Sequence, residues 1–93
     1  MNNDYKPSIA DIRSELQRMR FDKNALNNIY WYLVRTIKIL NEQPPNENNR
    51  YLLIDLKDLE ETIQEARTYR EDQQQSMFEQ VVDAFKTVLD DIH

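Results

Sequence analysis

The chain contains no glycine and no cysteine among its 93 residues. Tight hairpin turns, phosphate-binding loops and left-handed helix caps rely heavily on glycine, so its absence argues against all three. Without cysteine the chain can form no disulfide, no thiolate metal site and no cysteine nucleophile. Glutamate, glutamine, leucine, lysine and arginine are abundant and favour helix. The composition therefore predicts an all-α protein.

Histidine is almost as scarce, since the single imidazole belongs to the final residue, His93. Chain ends fray, so no catalytic neighbour can be held against this side chain. Ser-His-Asp catalysis and Glu-x-x-His di-iron sites both require an imidazole fixed inside the fold. We therefore predict a non-enzymatic protein without catalytic residues, cofactor or metal.

Long apolar runs are missing as well. No stretch approaches the roughly 18 apolar residues of a membrane-spanning helix. Residues 1–8 are polar and lack the apolar segment of a secretory leader. We therefore expect a cytoplasmic protein with no membrane partner.

Charge is unevenly distributed along the chain, whose net charge is −5. Residues 1–43 hold seven Lys and Arg against five Asp and Glu, giving +2, whereas residues 44–93 hold five against twelve, giving −7. Because neutralisation of phosphate supplies most of the affinity for nucleic acid, this balance argues against a nucleic-acid partner. The acidic half would suit a protein partner with a basic surface, or it is simply a solvated face.

The segment from Leu26 to Leu40 is the longest run that is apolar on more than one side of a helix. Its main stripe falls within an arc of about 100°, which is the width of a core-facing surface. The stripe consists of Leu26, Ile29, Tyr30, Leu33, Ile37 and Leu40. We interpret this segment as the central helix of the fold.

Apolar periodicity and helix breakers predict a small antiparallel bundle of four helices, forming one domain over residues 1–93. The helices are expected at about 8–20, 25–41, 49–70 and 76–92, with a flexible arm at 1–7 and a proline-containing loop at 42–48. Ser8 is a suitable N-cap for the first helix because its hydroxyl can accept a backbone N–H. The two adjacent prolines of the loop cannot continue the second helix.

The start of the fourth helix is the least determined boundary. Ser76 and Glu79 have the spacing of a capping box, and the apolar stripe that follows them is displaced in phase. However, neither proline nor glycine interrupts residues 50–93. The alternative is therefore a bundle of three helices, in which one long helix over 50–92 pairs with a second chain in a dimer.

Carboxylates of the third and fourth helices offer the one arrangement that could bind Mg²⁺. The candidates are Asp55, Asp58, Glu61, Glu65, Glu79 and Asp83. Two segments, Glu60-Glu61-Thr-Ile-Gln-Glu65 and Glu79-Gln-Val-Val-Asp83, resemble those of the all-α MazG-type nucleotide pyrophosphohydrolases, which place Glu-Glu-x-x-Glu on one helix and Glu-x-x-Asp on the next. The resemblance implies a Mg²⁺-dependent nucleotide phosphohydrolase. Each element is one residue longer in this chain, which turns carboxylates away from the shared face by about 100° per residue.

Several side chains of the central helix lie outside its main stripe. Trp31 projects on the side of Lys38 and Arg35, while Tyr32 and Ile39 lie on a third side. Trp, Tyr and Arg are the residue types most enriched at binding hot spots. We therefore predict Trp31, Tyr32, Arg35, Lys38 and Ile39 as partner-binding residues. The alternatives are a homodimer contact and ordinary core of a bundle.

A small acidic helical protein without catalytic groups most simply works by contact with another protein. Our leading hypothesis is a regulatory or accessory factor, such as an inhibitor, adaptor, antiactivator or immunity-type protein, with a bacterial or phage source as the working assumption. The second hypothesis is a structural, self-assembling homodimeric bundle. The Mg²⁺-dependent phosphohydrolase is the third.

Overall fold

The computed structural model describes residues 7–92, which form a bundle of four helices. Helix α1 spans Ile9–Arg18, α2 spans Ala25–Glu42, α3 spans Glu47–Ala66 and α4 spans Glu71–Asp90. The predicted all-α bundle is confirmed. The alternative with one long helix is wrong, because the chain turns at residues 67–70. Of the predicted arm, residues 1–6 lie outside the described part, and Pro7 is buried instead of loosely attached.

Helix α1 begins with a capping box. The hydroxyl oxygen of Ser8 accepts a hydrogen bond from the backbone N–H of Asp11 at 3.2 Å, and the Asp11 carboxylate accepts one from the N–H of Ser8 at 3.0 Å. Both N–H groups would otherwise lack an intrahelical acceptor. The predicted N-cap at Ser8 is therefore confirmed.

Replacing Ser8 with alanine is expected to lower the free energy of unfolding by about 1 kcal/mol, because it removes the capping acceptor. Urea unfolding followed by circular dichroism measures this loss. Ser14, an exposed serine inside α1, provides the matched control, since Ser14→Ala only improves helix propensity. Equal stability of the two variants would contradict the role of the cap.

Helix α3 begins at Glu47, two residues before the predicted start at 49. The cap is Asn46, whose side-chain oxygen accepts a hydrogen bond from the N–H of Asn49 at 2.8 Å. Asn49 is buried, and its amide donates to the side-chain oxygen of Gln43 at 3.0 Å. Gln43 precedes Pro44 and has the extended backbone that a following proline favours. This pairing of amides fixes the connection between α2 and α3.

The capping box predicted at Ser76 is wrong, since Ser76 lies inside α4, which begins at Glu71. The side-chain amide of Gln74 donates to the backbone oxygens of Arg67 at 3.3 Å and Tyr69 at 3.1 Å. These bonds satisfy carbonyls that the turn leaves without helical partners. Two acidic residues in the first turn of α4 also suit the positive end of its dipole.

The four helices share one hydrophobic core. Every residue of the predicted stripe of α2 is buried or packs half-buried against this core, so the stripe is confirmed. Phe85 of α4 has the largest of the fully buried side chains. Thr36 is buried too, and its hydroxyl donates to the backbone oxygen of Tyr32 at 2.8 Å. Within residues 7–92, no helix combines the length and apolar character needed to cross a bilayer.

Arg13 joins α1 to the end of α4. Its Nη2 donates a hydrogen bond to the backbone oxygen of Leu89 at 2.8 Å, and its Nε lies 3.3 Å from Oδ1 of Asp90. The last carbonyls of a helix lack intrahelical donors and attract cations. This guanidinium therefore stabilises the junction of the first and last helices.

Candidate functional site

The five predicted partner-binding residues all lie on α2, but not on one side of it. Trp31 is 48% exposed, and Lys38 also projects into solvent. Tyr32 and Ile39 are half-buried and pack against the core. Of these four residues, only Trp31 and Lys38 therefore belong to the outer surface of the bundle.

Arg35, the fifth predicted residue, contacts Pro7, the first residue that the structure describes. Its Nε donates a hydrogen bond to the backbone oxygen of Pro7 at 3.2 Å. Pro7 is fully buried and Arg35 is half-buried. The guanidinium thus positions the segment that leads into α1, which no sequence spacing could indicate.

Val34 completes an exposed surface around Trp31. It is 39% exposed, and positions 31, 34 and 38 recur at the three- and four-residue intervals of one helix face. We call Trp31, Val34 and Lys38 the Trp31 face. The indole rests against the ring of Tyr32, with centroids 5.4 Å apart and planes at 76°. A ring restrained in this way loses little conformational entropy when it is buried by a partner.

A second exposed surface lies on α3 and was not predicted from the sequence. Tyr51 and Ile54 are 63% and 58% exposed, and Asp58 and Glu61 continue the same face in solvent. We call these four residues the Tyr51 stripe. The spacing of these residues indicates their exposure, because Tyr51 and Ile54 each lie about 140–160° around the helix from the buried Leu56.

The carboxylates of α3 have no cationic partner within residues 7–92. The ion pairs there join Arg13 to Asp90, Arg18 to Glu15 and Arg70 to Asp72, and none of these residues belongs to α3. α3 nevertheless carries six acidic residues against two basic ones. With a net charge of −4 from these six acidic and two basic residues, α3 presents a negative field to an approaching molecule.

The carboxylates considered for Mg²⁺ do not converge. Asp55 and Asp58 line a groove between α3 and α4, whereas Glu79 and Asp83 line a groove between α1 and α4. Within the part of the chain that the structure describes, no group of three or more His, Cys, Asp or Glu side chains is placed to hold a metal ion. Asp55 and Asp58 thus lie on a different side of α4 from Glu79 and Asp83.

A groove between α1 and α4 has a volume of about 560 Å³. It exists because α1 has ten residues and α4 has twenty, so α1 leaves part of α4 uncovered. Buried Leu16, Phe78 and Val82 contribute its apolar lining. The remaining lining includes both basic and acidic side chains, which are Arg20, Lys86, Glu79 and Asp83. This mixture of charges favours no particular ligand.

Comparison with known proteins gives no assignment: no protein-family model, curated protein or solved structure matches the chain significantly. Among residues 7–92, the Trp31 face and the Tyr51 stripe are the two places where large apolar side chains lie together on the solvent side of a helix.

Proposed function

We propose that the protein is a non-enzymatic accessory or regulatory factor that acts by binding another protein through its Trp31 face. The observation that supports this proposal is a tryptophan that is almost half exposed, with an exposed valine one turn away on a helix whose opposite side forms the core. Single exposed apolar residues are common on monomeric proteins, but adjacent ones on one face indicate contact surfaces. An inhibitor, adaptor, antiactivator or immunity-type protein would work in this way.

The chemistry of the Trp31 face indicates what its partner should offer. Trp31 and Val34 would enter an apolar pocket, because burial of their exposed surface supplies the main gain in free energy. Lys38 lies one turn beyond Val34 and makes no ion pair within residues 7–92. A matching partner surface therefore carries a carboxylate at the rim of that pocket.

Affinity capture followed by calorimetry on the purified captured protein tests this proposal. Trp31→Ala is expected to weaken binding by about 30-fold, which corresponds to the loss of about 2 kcal/mol that is typical of a hot spot. The matched control is Tyr69→Ala, because Tyr69 is an aromatic residue of similar exposure, at 37%, in the turn between α3 and α4. The control variant should bind as the wild type does.

Two results would contradict the proposal. One is a captured protein that binds Trp31→Ala and the wild type equally well. The other is that every protein retained by the wild-type chain is also retained by the Trp31→Ala variant. Thermal unfolding of both variants shows whether the fold is intact, since each change removes an exposed side chain and should leave the core undisturbed.

A further inference from the structure

The Trp31 face and the Tyr51 stripe have the same spacing and opposite charge. Each has two exposed apolar residues three positions apart, followed four positions later by an exposed charged residue. The first surface reads Trp31, Val34, Lys38 and the second reads Tyr51, Ile54, Asp58, so that corresponding positions differ by 20 residues throughout. The chain thus carries both halves of a complementary contact, on two different helices.

We propose that the Trp31 face of one copy of the chain binds the Tyr51 stripe of a second copy. With the two helices parallel, Trp31 and Val34 lie against Tyr51 and Ile54, and Lys38 lies beside Asp58. Residues spaced by three and four are those that interdigitate when two helices pack side by side. The contact removes four large exposed apolar side chains from water, and this burial drives the association.

With the helices parallel, charge favours this pairing over pairing between identical surfaces. Two parallel Tyr51 stripes would bring Asp58 and Glu61 against the same carboxylates, and two parallel Trp31 faces would bring the ammonium groups of Lys38 together. Like charges placed opposite one another disfavour a contact, whereas opposite charges fix its register. No ion pair within residues 7–92 occupies Lys38 or Asp58, so both are available for the contact.

A contact between two different surfaces does not close on itself after two copies. Each added copy leaves one free Trp31 face and one free Tyr51 stripe, so assembly continues into a ring or an open chain. Self-assembly also covers the Trp31 face, and it would therefore compete with the partner protein proposed above. The contact itself needs no partner and can be tested with the purified chain alone.

Sedimentation velocity from micromolar to millimolar concentration tests the inference. At low ionic strength the average mass should rise steadily above the 11.3 kDa of one chain, without a plateau at two copies, and added salt should lower it. Lys38→Glu alone and Asp58→Lys alone should each weaken association by about ten-fold or more, since each places like charges opposite one another. An equimolar mixture of the two variants should regain association, because the carboxylate introduced at position 38 of one chain then faces the ammonium group introduced at position 58 of the other.

The matched control is Glu71→Lys, which changes the net charge by the same amount as Asp58→Lys but lies at the exposed start of α4. It should assemble as the wild type does. Three results would overturn the inference: a single-chain mass at every concentration, assembly that both charge reversals leave unchanged, or a mixture that remains monomeric. Failure of partner capture leaves all three readouts unaffected, so the two proposals are tested separately.

Discussion

Phe85→Ala is expected to lower the free energy of unfolding by about 3–5 kcal/mol. Phe85 is completely buried and has the largest side chain among the fully buried residues. The substitution removes the contacts of a whole ring and leaves a cavity that the surrounding helices only partly fill. Since a small domain is stable by about 5–15 kcal/mol in total, this loss takes a large share of the available stability.

Urea unfolding followed by circular dichroism at low micromolar concentration, where association does not contribute, measures this difference. Tyr51→Ala serves as the control, because it also replaces an aromatic ring with a methyl group but at a position that is 63% exposed. Its effect should stay within about 0.5 kcal/mol. If Phe85→Ala cost no more than Tyr51→Ala, the packing of α4 against the core would be wrong.

Ser76→Pro should destabilise the protein by about 3 kcal/mol or more. Ser76 lies inside α4, so the proline ring removes a backbone hydrogen bond and collides with the preceding turn. Glu71→Pro is the matched control, because Glu71 is the first residue of α4, where the N–H has no intrahelical acceptor and proline is well tolerated. Thermal or urea unfolding of both variants gives the comparison.

The result also locates the start of α4. A helix beginning after Ser76 would accept proline there, whereas a helix beginning at Glu71 would not. Near-wild-type stability of Ser76→Pro would therefore support the boundary indicated by the Ser76 and Glu79 spacing. It would contradict the turn over residues 67–70.

The core could be predicted from the sequence because burial of a helix face follows its 3.6-residue period. Leu26, Ile29, Leu33 and Leu40 are buried as their spacing requires. The loop after α2 could also be predicted from the sequence, because proline restricts the backbone locally. The start of α4 could not be predicted from the sequence. The side-chain amide of Gln74 donates hydrogen bonds to carbonyls of the preceding turn, and the common capping motifs do not contain this pattern.

The outer surface was harder to predict than the core. A helix wheel shows that Trp31, Tyr32 and Ile39 leave the main stripe of α2, but it does not show which sides neighbouring segments cover. Packing against the core removes Tyr32 and Ile39 from the outer surface and leaves Trp31 half exposed. The Tyr51 stripe was not predicted, although Tyr51 and Ile54 lie on the side of α3 opposite the buried Leu56.

The Arg13–Leu89 hydrogen bond joins residues 76 positions apart in the chain. This separation bears on the order in which the helices fold and unfold. Since closing so long a loop costs conformational entropy, we expect α1 to dock last, onto α2, α3 and α4. We likewise expect the ten-residue α1 to be the first segment to detach from the native state. Its release would remove the α1 wall of the groove and uncover Phe78 of α4, while leaving the exposed faces of α2 and α3 in place.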